Sequence, residues 1–367
     1  MTSLVRAAIA ALAVTGALAA AGAASAAVDL SFYGRADVSV DYDHGGRYDA
    51  WDLASNASRF GARATHELDT GLQVYGQVER CLDLNRGNDV DWCPRDTFLG
   101  LSDAWGTIRL GYMDTVLKDL RSQVDAFGSQ MGNARNVLRG AHDPHLDARF
   151  PNAVRYTSPE QGGWGVDLQA SLDWSRDEEQ DEIVPAEDND RGAFSGAVRY
   201  RGERLWVAGG YERVSGLDEP PEARPESSAE GYRLAMAVEV TDAWRVTALG
   251  QATHDAYETG AQAYSDAVAY GAGTRYALED DLDLRAHYYA LDVDAPGYGA
   301  ELFSIGPVYH ASEQLQLYAT AAYLDNDDRS ELVPWRLGRT AGPPGEDPGI
   351  GPGRAAWGVS SGVRFDF

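Results

Sequence analysis

Arginine is the residue whose type and placement most invite a chemical reading. Arg35, Arg59, Arg63, Arg109 and Arg155 alternate with apolar residues, as in Phe60-Gly61-Ala62-Arg63-Ala64 and Ile108-Arg109-Leu110. A guanidinium stays charged at physiological pH and presents fixed donors, so a row of them suits filtering of ions rather than proton transfer. Lys118 is the only lysine, a bias that genome composition would also produce. The two cysteines, Cys81 and Cys93, stand twelve positions apart in a polar segment. In an oxidising compartment they are expected to form a loop-stapling disulfide, and without a His or Cys cluster nearby they make a poor metal site. His142-Asp143-Pro144-His145 carries ligand-type residues, but the proline constrains the backbone and no further ligand set is evident. Ser, His and Asp occur without a Gly-x-Ser-x-Gly elbow. We therefore expect no catalytic set, no metal and no cofactor.

The elements that must position the arginines show a repeated period of two. Trp164, Val166, Leu168, Ala170, Leu172 and Trp174 alternate with Gly165, Asp167, Gln169, Ser171 and Asp173. One face of such a strand is apolar and the other wet. The pattern recurs through Tyr232–Val240, Leu282–Tyr288 and Leu315–Tyr323. Sixteen such runs begin near residues 29, 57, 70, 96, 106, 152, 164, 192, 204, 229, 243, 264, 282, 301, 314 and 356. Short connections, such as Asp69-Thr70-Gly71 and Trp105-Gly106, alternate with long polar ones, roughly 176–191, 214–228 and 326–355. An even number of strands of about ten residues, with short turns on one rim and long loops on the other, describes a transmembrane barrel. A soluble sandwich or solenoid would also alternate, but it would bury bulky branched side chains where this chain places Ala, Gly, Tyr and Leu.

The ends and the charge agree with that reading. Arg6, the apolar stretch from Ala7 to about Ala21 and the small residues Ala24-Ser25-Ala26 read as a signal peptide over 1–27, leaving a barrel over 28–367. No later stretch approaches the length of a spanning helix. The chain has 57 Asp and Glu against 31 Lys and Arg. That excess argues against nucleic acid and anionic lipid surfaces as partners. Much of the acid falls in external loops such as Asp177 to Asp190, which read either as a solvated surface suited to salty surroundings or a site for divalent cations, or as disorder without a role.

The final stretch, Trp357-Gly358-Val359-Ser360-Ser361-Gly362-Val363-Arg364-Phe365-Asp366-Phe367, resembles the closing strand of outer-membrane barrels. In those proteins the terminal aromatic is read by the barrel-assembly machinery, which would make Phe365 and Phe367 that signal. More specific are Leu30-Ser31-Phe32-Tyr33-Gly34-Arg35, Ser58-Arg59-Phe60-Gly61, Trp105-Gly106-Thr107-Ile108-Arg109-Leu110-Gly111 and Arg149-Phe150-Pro151-Asn152-Ala153-Val154-Arg155-Tyr156-Thr157-Ser158-Pro159. Together they resemble the general trimeric porins of Gram-negative bacteria, proteobacterial type, over the whole chain after the signal peptide.

The resemblance implies an all-β, 16-stranded antiparallel barrel in the outer membrane, in contact with lipid and lipopolysaccharide, associated as a homotrimer. It implies passive diffusion of small hydrophilic solutes and ions, with no covalent step. A substrate- or anion-specific channel is the alternative, and a barrel enzyme or adhesin the third reading. The segment 114–151 is in the place of the loop that enters the lumen and narrows it.

Strand parity alone sends Arg35 and Asp37, Arg59 and Arg63, and Arg109 inward, with Arg155 expected to join them. The resemblance sets Asp114, Asp119, Asp125, Asp143 and Asp147 of the loop against this basic wall. Where many relatives carry a basic residue after Leu110-Gly111, this chain has Tyr112, and Arg135, Arg139 and Arg149 are the available compensation.

Overall fold

The computed structural model describes residues 28–86, 93–139, 146–172, 192–215, 228–258, 264–340 and 349–367. The expected signal peptide 1–27, Asp143 with its neighbouring histidines, Trp174 and the acidic stretch 177–190 lie outside the described residues.

Seventeen strands form one closed antiparallel sheet. They are β1 Asp29–Gly45, β2 Tyr48–Ser55, β3 Arg59–Glu67, β4 Gln73–Cys81, β5 Pro94–Asp103, β6 Gly106–Asp114, β7 Arg149–Thr157, β8 Trp164–Ser171 and β9 Ala193–Arg201, followed by β10 Leu205–Ser215, β11 Ser228–Glu239, β12 Trp244–Glu258, β13 Tyr264–Glu279, β14 Leu282–Val293, β15 Ala300–His310, β16 Leu315–Asn326 and β17 Ala356–Asp366. β1 pairs with β3 through its first half and with β2 through its second, so β2 and β3 are one interrupted stave and the barrel has the expected sixteen. The stretch forming β2 was not anticipated. Asn56, Ala57 and Ser58 break the stave because their polar groups turn to the interior. The Asn56 amide donates to Asp37, Ser39 and the Tyr318 hydroxyl, and Ala57 adopts φ 53°.

The ring closes where β1 meets β17, from Arg35 opposite Asp366 to Gly45 opposite Ala356. The terminal residue completes this seam. Gly34 N–H donates to the Phe367 carbonyl at 2.8 Å and Phe367 N–H returns to Gly34 at 3.1 Å. A closed sheet leaves no unpaired backbone edge facing hydrocarbon.

Alternation holds around the ring. Phe32, Leu99, Leu110, Leu168, Val198, Leu234, Tyr270, Phe303, Leu317 and Val359 are exposed on one face. Residues of the opposite parity, on the other face, include Arg35, Arg109, Gln169, Arg233, His287, Ser304 and Thr320. In a folded protein outside a membrane such an apolar exterior would be a liability. In a bilayer it is the contact surface.

The inner face is not empty. Residues 115–138 carry α1 Val116–Ser122, capped by the Thr115 hydroxyl accepting from Lys118 N–H, and α2 Arg135–Leu138. Val116, Leu117, Val124, Phe127, Met131 and Val137 are each no more than 2% exposed. Val116, Val124 and Val137 pack in one cluster with small inward residues of the wall, Ala208, Ala235 and Ala269 among them. A Cβ on Gly210 would stand 2.8 Å from Leu120, so this glycine makes room for the helix.

Candidate functional site

The segment after β6 is held against the inner faces of β9 to β15 by hydrogen bonds of both backbone and side chains. Thr247 donates to the Val124 carbonyl at 2.9 Å and Arg285 to the Ala126 carbonyl at 2.9 Å. The Gly132 carbonyl accepts from Ser304 at 2.8 Å and contacts His287 Nε2 at 2.6 Å. Gly132 has φ 71°, and a Cβ there would stand 2.3 Å from the Ser304 hydroxyl.

The strongest tie is ionic. Asp147 accepts from Arg121 Nε at 2.8 Å and from Arg233 Nη2 at 3.2 Å, with all three side chains at most 6% exposed. The Arg233 Nε donates to Gln251, whose amide donates to the Leu138 carbonyl. Burial alone would raise the Asp147 carboxyl. Arg121 and Arg233 outweigh it and hold the group well below the usual carboxylate range.

With the segment against β9–β15, the open part of the lumen lies along the opposite wall. A cavity of about 410 Å³ is bounded there by Arg35 and Asp37 of β1, Asn56 and Ala57 of the stave break, Arg59 of β3, Arg95 of β5 and Arg364 of β17. Across from them stand Ser122 and Asp125 to Gln130 of the segment, with Lys118, Arg121, Arg135, Arg149 and Arg285. Nine lining residues are Arg or Lys and three, Asp37, Asp114 and Asp125, are acidic.

Two of the five expected arginines, Arg35 and Arg59, line this cavity. Arg35 pairs with Asp366 at 2.6 Å and Arg59 with Glu79 at 3.6 Å. Arg63 and Arg109 sit on the same wall, nearer the rim of tight turns. Arg155 is only 5% exposed, paired with Asp119 at 2.6 Å and Asp167 at 3.4 Å, and supports the segment from below.

The described aspartates of the segment are already occupied. Asp114 holds Lys118 and Arg149, each at 2.7 Å. Asp125 accepts from the backbone N–H groups of Phe127, Gly128 and Ala134, and so shapes the turn. Asp147 is the buried tie and does not line the cavity. Of the expected aspartates, Asp114 and Asp125 line the cavity with the arginines. Arg135 and Arg149 do reach the cavity, as do Arg95, Arg285 and Arg364, which are not among the residues expected there. Parity would have found Arg285 and Arg364, since both alternate with outward apolar residues.

Lys118 is nearly enclosed, and burial, reinforced by Arg149 and Arg135, pushes its ammonium from the ordinary 10.5 down to about 8, against the pull of Asp114. Cys81 and Cys93 are bonded, with Cα atoms 5.5 Å apart. Phe365 and Phe367 face outward, 45% and 57% exposed.

A closed barrel, apolar outside and charged inside, with a segment narrowing its lumen, is the architecture of a membrane channel. A profile of the Gram-negative porin family matches residues 8–329, and the chain belongs to that family. An outer membrane porin protein of Bordetella pertussis is 25% identical over 357 residues, covering 83% of this chain and 91% of that protein. Outer membrane porin protein 32 of Delftia acidovorans is 26% identical, with 95% and 97% covered. Among solved structures, the anion-selective porin from Comamonas acidovorans superposes with a TM-score of 0.77 at 21% identity, over 93% of this chain and all of that one. The protein is a porin of the outer membrane.

Asp147→Asn leaves the buried Arg233 without a counter-charge and Arg121 with only Asp125, 3.7 Å away, which costs on the order of 3–5 kcal/mol. Protease digestion should then cut within 115–139, and single-channel current should become larger and noisier; unchanged protection and current would contradict the tie. The Lys118 charge, held at low pH, is lost as pH rises through about 8. Preference for anions should fall across that interval in the native channel and stay flat in Lys118→Met.

Proposed function

We propose that this porin is a general diffusion channel whose constriction, formed by the segment 114–151 against the arginine wall, favours small anions. The observation that carries this reading is the lining of the cavity, nine basic side chains against three acidic ones in a chain of net charge −26. A local surplus of fixed positive charge in a narrow, low-dielectric passage attracts anions whatever the net charge of the whole. The relative described as anion-selective supports the same direction, through likeness of fold.

Passage needs no covalent step, since no group of the lining is set as a nucleophile with its base. On this reading Arg35 and Arg59 form the narrowest basic edge, Arg63 and Arg109 continue it toward the rim of tight turns, and Arg155, Asp119 and Asp147 hold the segment. Membership of the family supports a homotrimer embedded in outer-membrane lipid and lipopolysaccharide. The outward aromatics Phe365 and Phe367 fit recognition by the barrel-assembly machinery.

Planar-bilayer recording tests the proposal. It predicts current proportional to voltage and to KCl concentration, with steps that close in groups of three. Absence of channels, or a KCl current that saturates, would contradict it.

A further inference from the structure

Arg63 and Arg109 stand apart from Arg35, Arg59, Arg95, Arg149 and Arg155 on the same side of the barrel because neither has an ion-paired carboxylate among the described residues. Each instead lies on an aromatic ring. Arg285 on the opposite wall also lies on a ring, Phe127, but it donates to the Ala126 carbonyl and Gln130 of the inserted segment. The Arg63 guanidinium is 5.7 Å from the centre of the Tyr33 ring, and that of Arg109 is 5.4 Å from the centre of Phe98. Between them Tyr75 meets Phe98 edge to face, with centroids 5.9 Å apart.

The rings are laid flat by glycine. A Cβ on Gly61 would come within 2.5 Å of Tyr33, and one on Gly100 within 2.3 Å of Tyr75. A ring that covers a glycine lies along the sheet and turns its other face toward the lumen. Arg63 is further steadied by Gln77, to which it donates at 2.6 Å. This strip occupies β1 and β3 to β6, the wall that the segment 115–138 leaves free, so a solute leaving the cavity passes along it.

We propose that the strip is a guiding site for aromatic carboxylates, which deepens the anion-channel reading and rests on it. The carboxylate takes the unpaired guanidinium of Arg63 or Arg109, while the ring lies against Tyr75 and Phe98. Cation–π and ring–ring contacts of this kind discriminate a planar anion from a compact one of equal charge.

Current carried by sodium benzoate is compared with that carried by sodium acetate, in the same bilayers used for KCl. Benzoate current should saturate, with half-saturation roughly five- to tenfold below any seen for acetate. Phe98→Leu, which keeps bulk without a π face, and Arg109→Lys, which keeps charge without the planar fork, should each raise the benzoate value roughly two- to fivefold. Their KCl current reports that the barrel has formed, and either variant suffices.

A channel that prefers anions but carries benzoate and acetate alike, or whose benzoate value neither variant moves, overturns the aromatic site and leaves the channel reading standing. A channel without anion preference overturns the reading on which the site rests.

Discussion

The constraint on which everything else depends is that a backbone crossing hydrocarbon must satisfy every N–H and C=O internally. A sheet meets it only by closing on itself. Closure here rests on the register of β1 against β17 and on two hydrogen bonds between Gly34 and Phe367. Once the ring is closed, period-two alternation divides the side chains into a lipid set and a water set. Charged groups can then be placed opposite greasy ones one residue away. The arginine wall is thus a by-product of the same geometry that solves the backbone problem.

The interior holds a second, smaller core. Small residues on the inward faces of β10 to β13 let an apolar helix lie against the wall, and buried ionic ties keep it there. Asp147 between Arg121 and Arg233 is costly to desolvate, and it is tolerated because both guanidiniums and further hydrogen bonds surround it. Such a tie specifies one position of the segment more than it adds stability. The position matters, because it leaves the lumen open along β1 to β7 and closed along β9 to β15.

The barrel was legible because alternation is local. Each of the sixteen runs, from the one near residue 29 to the one near residue 356, marks a stave, and Phe303 or Leu234 declares its face without knowledge of any partner. The stave break was not legible, since Asn56 turns inward to meet Asp37 and Tyr318, residues far away in sequence. The same holds for the ties. Nothing near Asp147 in the sequence announces Arg233, and nothing near Arg35 announces Asp366. The sign of the pore was hidden for a further reason. Net charge counts every carboxylate equally, whereas a solute in the cavity meets only its lining, nine basic side chains and three acidic ones. Arg95, Arg285 and Arg364 also reach the cavity, from staves far apart in sequence.

The most direct measurement of the central claim is the zero-current potential across a bilayer separating KCl solutions of roughly tenfold different concentration. The local surplus of arginine predicts a potential set by chloride, moving toward that of potassium when Arg35 and Arg59 are both replaced by Glu. A native potential already set by potassium would mean that the net acidity of the chain governs the pore and that the charge of its constriction does not.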